Sequence, residues 1–428
     1  MKNKRITAMI IAVIICISVV SILSACGRGS SDDEPEPDLT PIEIPIPTPP
    51  PPTPEPSPEP VNFVEYDSSL PVEHIFFHEI IAYPEMAFDG GSRAGQYDQE
   101  MVTVDEFNTI LESLYRNNFV LVDLNDVWEE FTNENGNLRM RRSTLMIPEG
   151  KKPLVISFDD LSFYNYMNND GFMSRYIIGP DGDVWAEGFD PAGNPVMSQD
   201  LAAITILDKF IKENPGFSNN GAKGCIAFTG YEGILGYRTH FDRDDTSEAF
   251  RLNRMKEIAR VEPVVQRLKE TGWYFASHSY GHIWLDNSSI DRVKTDAMRW
   301  EEEVRPLLGD TVIFIYPYGS RLDGSDIFRD TPGPGLRFYV EELGFRMFLS
   351  VGREPFARAR TDIAAAIMDR MLVGGTTLRS ARDRYMKFFD VADVFDSMRP
   401  AGDIDWGDGD YVGYDLYDDD VDDDDDDD

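Results

Sequence analysis

Short apolar segments alternate with amphipathic segments from residue 72 onward, and this alternation constrains the fold of the 428-residue chain more than any other feature. Segments 74–78, 225–228 and 312–315 have the length and composition of buried strands. Between the strands lie segments with apolar residues at helical spacing, and one of them begins with Thr103 and Glu106 in a capping-box pattern. Such repeated β-α units favour a parallel sheet, either closed as a barrel or open and doubly wound.

Two segments interrupt the alternation. Residues 163–197 are rich in Gly, Asn, Asp and Pro, a composition that is typical of turns and loops. Residues 230–245 form a second irregular segment. The sequence therefore predicts insertions after the strands that carry Asp160 and Phe228.

The N-terminus has the order of a secretory signal. Three of the first five residues are basic, and an apolar run at 8–22 leads into Leu23-Ser24-Ala25-Cys26. The run is too short, and too closely followed by small and polar residues, to predict a spanning helix. The quartet resembles the lipobox of bacterial lipoproteins, which implies that residues 1–25 are a cleaved signal peptide and that Cys26 carries acyl chains. The protein is then expected to be lipid-anchored at the extracellular face of the cell membrane; an uncleaved signal anchor is the alternative.

Proline and acidic residues dominate the two segments that flank the predicted globular region. Residues 35–60 hold 13 of the 28 prolines, and because proline fixes φ, residues 26–62 are predicted to be an extended, semi-rigid linker. Residues 403–428 contain 15 Asp and no Lys or Arg. Like charges repel and nothing apolar offsets the cost of ordering, so this tail is predicted to be disordered. Residues 63–402 remain as the predicted globular domain.

The chain carries 77 acidic and 40 basic side chains, which gives a formal net charge of −37. A protein that neutralises phosphates needs clustered Lys and Arg, so a nucleic-acid partner is excluded. Much of the charge lies in the linker and the tail, so it says little about a substrate. The three cysteines include Cys16, within the apolar N-terminal run, and therefore predict no disulfide framework.

Polar groups follow four of the predicted strands, at the point where each strand ends. They are Ser157-Phe158-Asp159-Asp160, Thr229-Gly230-Tyr231-Glu232-Gly233, Ser277-His278-Ser279-Tyr280-Gly281-His282 and Tyr316-Pro317-Tyr318-Gly319. The carboxyl ends of parallel strands form the edge at which α/β folds build active sites. The sequence therefore predicts that the four groups share one pocket.

The residue types in these groups suit a metal centre. Two adjacent carboxylates, Asp159 and Asp160, repel each other unless a cation neutralises one of them. The spacing of His278 and His282 predicts two imidazoles on the same side of a helical turn. Two histidines and one carboxylate form a three-ligand site with positions open for water, and the second carboxylate can accept a proton from that water. Each pattern alone is more typical of a solvated turn or a surface helix, but their joint occurrence in a chain with five histidines favours the metal site.

The Asp159-Asp160 group, the group from His278 to His282 and the turn at Tyr316 resemble, in this order, the first three motifs of the polysaccharide deacetylase family, also called carbohydrate esterase family four. The resemblance covers residues 70–390 and implies that residues 63–402 are the catalytic domain. It implies an α/β fold, a distorted (β/α) barrel of about seven units. It also implies that Asp159 is the general base and that Asp160, His278 and His282 bind a divalent metal.

The same resemblance extends to substrate and cofactor. It implies that Tyr316, Pro317, Tyr318 and Gly319 contact an N-acetylated glycan, such as peptidoglycan or poly-N-acetylglucosamine. The metal is expected to be Zn, although two His and one Asp also suit Co, Ni, Mn or Fe. The protein is expected to be a monomer and a lipoprotein of a Gram-positive bacterium.

Three departures from the family pattern bear on activity. The family's Gly after the Asp pair is Leu161 here, and the Arg that commonly stands two residues before the motif Pro is Ile315. The family's late histidine, its usual general acid, is missing, so His78 and His240 are the remaining candidates. Arg238 and Tyr231 are further candidates for contact with the substrate. Two alternatives stay open: a glycan-binding pseudoenzyme that lacks the acid, and a carbohydrate O-acetyl esterase, whose leaving group needs less protonation.

Overall fold

The structure is a computed structural model that describes residues 61–323 and 331–402. The signal peptide 1–25, the lipidation residue Cys26, nearly all of the linker 26–62 and the tail 403–428 lie outside the described residues. The predictions for these segments therefore stay predictions.

Within the described residues the chain forms sixteen strands: β1 (Phe63–Glu65), β2 (Glu73–Phe77), β3 (Phe119–Leu121), β4 (Trp128–Thr132), β5 (Leu138–Arg142), β6 (Met146–Pro148), β7 (Lys152–Asp159), β8 (Arg175–Ile178), β9 (Val184–Phe189), β10 (Pro195–Ser198), β11 (Gly224–Phe228), β12 (Tyr274–Ser277), β13 (Ile313–Ile315), β14 (Met347–Val351), β15 (Ala357–Ala359) and β16 (Ala366–Leu372). The same residues form twelve α-helices: α1 (Pro84–Ala87), α2 (Ala94–Glu100), α3 (Val104–Arg116), α4 (Leu124–Val127), α5 (Ala203–Glu213), α6 (Glu248–Glu270), α7 (Ile290–Glu303), α8 (Arg305–Leu308), α9 (Pro334–Arg337), α10 (Gly375–Ser380), α11 (Arg382–Tyr385) and α12 (Val391–Val394).

Seven parallel strands close into a barrel. Their order is β11-β12-β13-β14-β16-β2-β7, and β7 pairs in turn with β11. The β12–β13 contact is the shortest, with Ser277 and Phe314 as its one pair in register, so the barrel is distorted there. This closed barrel confirms the fold class implied by the family resemblance and decides against an open, doubly wound sheet.

The two faces of the barrel strands have different partners, because successive side chains alternate between inside and outside. Outward-facing residues such as Ile75 and Ile156 share one core with residues of the surrounding helices, among them Phe107 of α3 and Val261 of α6. Apolar side chains fill the interior at the amino ends of the strands, where α4 and the β4–β5 hairpin close the barrel: Trp128, Met140, Val155, Cys225, Ala276, Ile313, Met347 and Met368. Buried polar side chains belong to the carboxyl half of the barrel: Ser157, Asp159, His278 and Arg370.

The helix that precedes β3 shows how the local sequence sets an element. The Thr103 hydroxyl accepts the backbone N–H of Glu106 at 3.3 Å, and the Glu106 carboxylate accepts the backbone N–H of Thr103 at 2.9 Å. This capping box satisfies donors that a helix start leaves unpaired, and α3 begins at Val104 as predicted.

Both predicted insertions are present. After β7, strands β8, β9 and β10 form a separate antiparallel sheet. After β11, residues 229–247 form an irregular segment that leads into α6. No helix within residues 61–323 and 331–402 has both the length and the hydropathy to cross a membrane.

Candidate metal centre

Three of the predicted site residues converge at the carboxyl end of the barrel. Asp160 directly follows β7, and His278 and His282 lie in the loop after β12. The Nε2 atom of His282 lies 3.5 Å from Oδ2 of Asp160, and Nε2 of His278 lies 3.9 Å from the same oxygen. One ligand atom from each residue lies within 4.8 Å of the other two. Bond lengths of about 2.0–2.2 Å around a tetrahedral ion put ligand atoms about 3.4 Å apart, so the set fits one cation after a small contraction.

The two histidines are brought together by a loop and not by the helical turn that their spacing predicts. Ser279 and His282 have left-handed φ angles of 57° and 53°, and the imidazole centroids lie 4.9 Å apart. Asp296 of α7 holds the loop, because its carboxylate accepts the backbone N–H groups of Tyr280 and Gly281, each at 2.7 Å. The prediction of a shared helical face was therefore wrong, although the rings do lie side by side.

Both imidazoles are neutral at neutral pH and can act as ligands. The Nδ1 atom of His278 lies 2.9 Å from the carbonyl oxygen of Ile315. A carbonyl only accepts, so Nδ1 carries the hydrogen and the lone pair of Nε2 faces Asp160. Burial lowers the pKa of His278, and burial together with the charge of His78 lowers the pKa of His282 to about 4.

The turn after the carboxylate pair is made by Asp160 itself. Asp160 has a left-handed φ of 61°, a conformation that Asp tolerates better than most residues. Leu161, which stands where the family has Gly, is fully buried, and its carbonyl accepts the backbone N–H of Leu235 at 3.0 Å. The departure from the family pattern is therefore accommodated, because Leu161 joins the core.

A buried tyrosine contacts the Asp160 carboxylate. The Tyr164 hydroxyl donates to Oδ1 of Asp160 at 2.5 Å and lies 2.6 Å from the hydroxyl oxygen of Thr229. Burial, and next the charge of Asp160, raise the pKa of Tyr164 well above its ordinary value. The phenol therefore stays protonated and remains a hydrogen-bond donor.

Asp159, the predicted base, is held by an arginine from a different strand than the family pattern suggests. Two guanidinium nitrogens of Arg370 donate to Oδ1 and Oδ2 of Asp159, each at 2.8 Å, and Arg370 is completely buried. Burial by itself raises the pKa of Asp159, but Arg370, with smaller contributions from His278 and His78, lowers it to about 2. Arg370 of β16 thus supplies the partner that Ile315 cannot.

The same guanidinium connects the base to a buried histidine. Arg370 donates to the Ser157 hydroxyl oxygen at 3.1 Å, and that hydroxyl lies 2.9 Å from Nε2 of His74. The Ser157 hydroxyl therefore links the guanidinium of Arg370 to the imidazole of His74. Burial, followed by the charge of Arg370, lowers the pKa of His74 well below its ordinary value, so this imidazole is neutral.

The predicted substrate-binding turn has one exposed aromatic side chain. Tyr316 and Pro317 are buried in the barrel wall, and Gly319 continues the turn. Tyr318 has a left-handed φ of 56° and is 37% exposed. Its ring centroid lies 4.3 Å from that of His282 and stacks on Trp284 at 4.3 Å. Of the four residues, Tyr318 is therefore the one that can present its side chain to a ligand beside the histidines.

The two candidate acids have different surroundings. His78 follows β2, its Nδ1 lies 3.1 Å from the carbonyl oxygen of Glu100, and its charge lowers the pKa of both Asp159 and His282. His240 lies in the second insertion with its ring against Phe250. Burial and then Arg238 lower the pKa of His240, and the acidic residues that act against this shift are Glu232, Glu303 and Asp242. His78 therefore belongs to the centre by its electrostatics.

The two candidate contact residues of the second insertion also differ. Arg238 donates to the carbonyl oxygens of Phe163 at 2.6 Å and of Glu232 at 3.1 Å, so its guanidinium holds the backbone around the centre. Tyr231 stacks on Tyr164 with ring centroids 4.9 Å apart and is partly exposed. Tyr231 can therefore contact a ligand, while Arg238 positions the loops.

Sequence reasoning missed three residues of the centre: Tyr164, Asp296 and Arg370. One of them left a signal, because Asp369 and Arg370 interrupt an otherwise apolar strand, and a buried Arg requires a partner. Tyr164 and Asp296 have no such signal, since a Tyr in a loop and an Asp in a helix are ordinary. A surface cavity of ≈ 440 Å³, lined by residues such as Asn108 and Lys209, includes no residue of the centre.

Comparison with known proteins gives a match to a protein family and similarity to solved structures, two of which are described below. Residues 245–330 match the family model described as polysaccharide deacetylase, and this span includes His278 and His282 but not Asp159 or Asp160. No curated protein sequence matches the chain. The Streptococcus pyogenes deacetylase PplD, solved in complex with acetate, is 12% identical with a TM-score of 0.39 and covers 72% of this chain and 94% of its own. The Bacillus anthracis protein BA0330, described as a polysaccharide deacetylase, is 12% identical with a TM-score of 0.38 and covers 76% and 69%.

Proposed function

We propose that this protein is a metal-dependent hydrolase that removes N-acetyl groups from a cell-wall or extracellular glycan of the peptidoglycan or poly-N-acetylglucosamine type. One observation carries the proposal. Asp160, His278 and His282 converge within 4.8 Å beside a second carboxylate, Asp159, which Arg370 holds in a bidentate pair. The match of residues 245–330 to the polysaccharide deacetylase model supports the same activity.

Asp160, His278 and His282 are the residues that would hold the cation. Two neutral imidazoles and one carboxylate fit Zn and also suit Co, Ni or Mn. A divalent cation held by these residues would supply Lewis acidity to the acetamide carbonyl and would increase the acidity of water.

The residues of the chain supply the proton transfers. Asp159 is ionised at neutral pH, and it accepts one proton from the water whose oxygen attacks the acetamide carbon. When the C–N bond breaks, the departing amine takes a proton from His78. The Nδ1–H of His78 donates to the Glu100 carbonyl, which leaves Nε2 for the exchange. Acetate and the free amine are the products.

Outside the centre, Tyr318 and Tyr231 offer exposed aromatic surface for a sugar ring. The cleavable signal and acylated Cys26 would anchor the protein at the extracellular face of the membrane, with the linker 26–62 as a spacer. The glycan is then the partner, and no nucleic acid takes part.

Acetate release by the full-length protein tests this proposal. We expect release from an N-acetylated oligosaccharide in the presence of Zn or Co, and loss of release with retained metal in Asp159→Asn. Saccharide binding without turnover under any divalent ion would instead support a glycan-binding pseudoenzyme. Release from O-acetylated but not from N-acetylated sugar would support the O-acetyl esterase.

A further inference from the structure

We propose that Tyr164 is a positioning residue for the cation, which fixes the Asp160 carboxylate so that a single oxygen, Oδ2, faces the two histidines. The inference rests on the proposed function, because it concerns the same metal centre. It adds a residue that none of the sequence motifs contains.

The two oxygens of Asp160 have separate tasks. Oδ1 accepts the Tyr164 hydroxyl at 2.5 Å, a length typical of a hydroxyl that donates to an ionised carboxylate. Oδ2 is the oxygen that lies 3.5 Å from Nε2 of His282 and 3.9 Å from Nε2 of His278. The phenol therefore occupies one oxygen and orients the other toward the imidazoles.

Tyr164 is itself held in one orientation. Its hydroxyl oxygen lies 2.6 Å from that of Thr229, and because its single hydrogen goes to Asp160, Thr229 is the donor in that contact. Its ring stacks on Tyr231 at 4.9 Å and on Tyr166 at 5.4 Å. A side chain that is clamped at its ring and at its hydroxyl can fix a ligand with little residual freedom.

The physical role follows from the turn at Asp160. Asp160 stands just past the end of β7 with a left-handed φ of 61°, so the alternation of side chains along the strand no longer sets the direction of its carboxylate, and the phenol of Tyr164 is the contact that orients it. Without the phenol, the carboxylate can rotate or offer both oxygens to the cation. Partners that orient a metal ligand typically change metal affinity by about 10–100-fold when they are removed.

The test compares Zn²⁺ and Co²⁺ binding by the full-length wild type, Tyr164→Phe and Tyr166→Phe. Tyr166→Phe removes a hydroxyl from the same aromatic stack without touching Asp160, and it serves as the matched control. Dissociation constants are measured by competition with a chromophoric chelator, and the visible spectrum of the Co²⁺ form reports the ligand geometry. Thermal unfolding of the metal-free variants checks that they fold.

We expect Tyr164→Phe to raise Kd about 10–100-fold and to change the Co²⁺ spectrum, while Tyr166→Phe stays within twofold of wild type. If Tyr164→Phe does not fold, Thr229→Val, which removes only the donor to the phenol, must raise Kd by a smaller factor. Wild-type affinity and an unchanged spectrum in the folded variants would overturn the role of Tyr164 and leave the proposed function intact. A wild type that binds neither ion would overturn the metal centre and the inference together.

Discussion

Replacing Arg370 by Met tests how much the Arg370–Asp159 ion pair contributes to the free energy of unfolding and to the ionisation of Asp159. Met is uncharged and has a similar length, so the change removes the two 2.8 Å hydrogen bonds to Asp159 and leaves an uncompensated carboxylate in the barrel. Removing one partner of a buried pair typically costs about 3–5 kcal/mol. We therefore expect Arg370→Met to unfold at a lower urea concentration at pH 8 by an amount equivalent to this cost.

The stability deficit of Arg370→Met is expected to change with pH in one direction. The pKa of Asp159 is about 2, below its ordinary 3.8, so the ionised Asp159 in its complete surroundings contributes about 2 kcal/mol that is fully present above about pH 4 and is lost as the pH falls through 2. Without Arg370, burial raises the pKa of Asp159 above 3.8. The native state of the variant then binds a proton that the unfolded state has released, so its stability deficit against wild type shrinks as the pH falls from 8 to 5.

Two further variants make the result decisive. Arg370→Met combined with Asp159→Asn removes both charges and should recover most of the lost stability, as expected for two coupled residues. Arg399→Met breaks another buried pair, with Glu106, away from the centre. It should destabilise the fold but leave the pH profile of acetate release unchanged. A deficit of Arg370→Met that is the same at pH 5 and pH 8, or a double variant no more stable than the single one, would refute the reasoning.

Three other variants probe the acid, the histidine loop and a buried carboxylate. His78→Gln should lower kcat for an N-acetylated sugar by about 10²–10⁴-fold but have a much smaller effect on an acetyl ester with a good leaving group; equal losses on both would remove His78 from the role of acid. Asp296→Ala leaves the N–H groups of Tyr280 and Gly281 without their acceptor, and should weaken zinc binding about 10–100-fold in a chelator competition; unchanged affinity would show that the loop keeps its shape alone. Burial raises the pKa of Glu79 to about 7 from 4.5, so the native state retains a proton that the unfolded state releases, and stability falls as the pH rises through this window. Glu79→Gln should abolish that fall of about 3 kcal/mol, measured by urea unfolding at pH 5 and pH 8, and a fall as large as in wild type would assign it to other groups.

Much of the candidate centre was predictable because its ligands lie in short motifs at strand ends. Asp159 ends β7, Asp160 follows it, and the two histidines follow β12. Parallel strands bring their carboxyl ends to one edge. The spacing of the histidines did not predict the backbone between them. A four-residue separation suits a helix equally well, and the loop was decided by the contact of Asp296 with the Tyr280 and Gly281 amides.

The sequence by itself determined the alternation of strands and helices, the insertions and the identity of the candidate ligands, because these follow from periodicity and from residues that are close in the chain. The tertiary structure decided that the sheet closes and which residues support the centre. Arg370 and Asp159 are 211 positions apart and meet only because β16 and β7 both flank β2 in the closed barrel. Which strands become neighbours depends on the packing of the whole domain. No local pattern could therefore show that Arg370 of β16 takes the place of the arginine that is missing at Ile315.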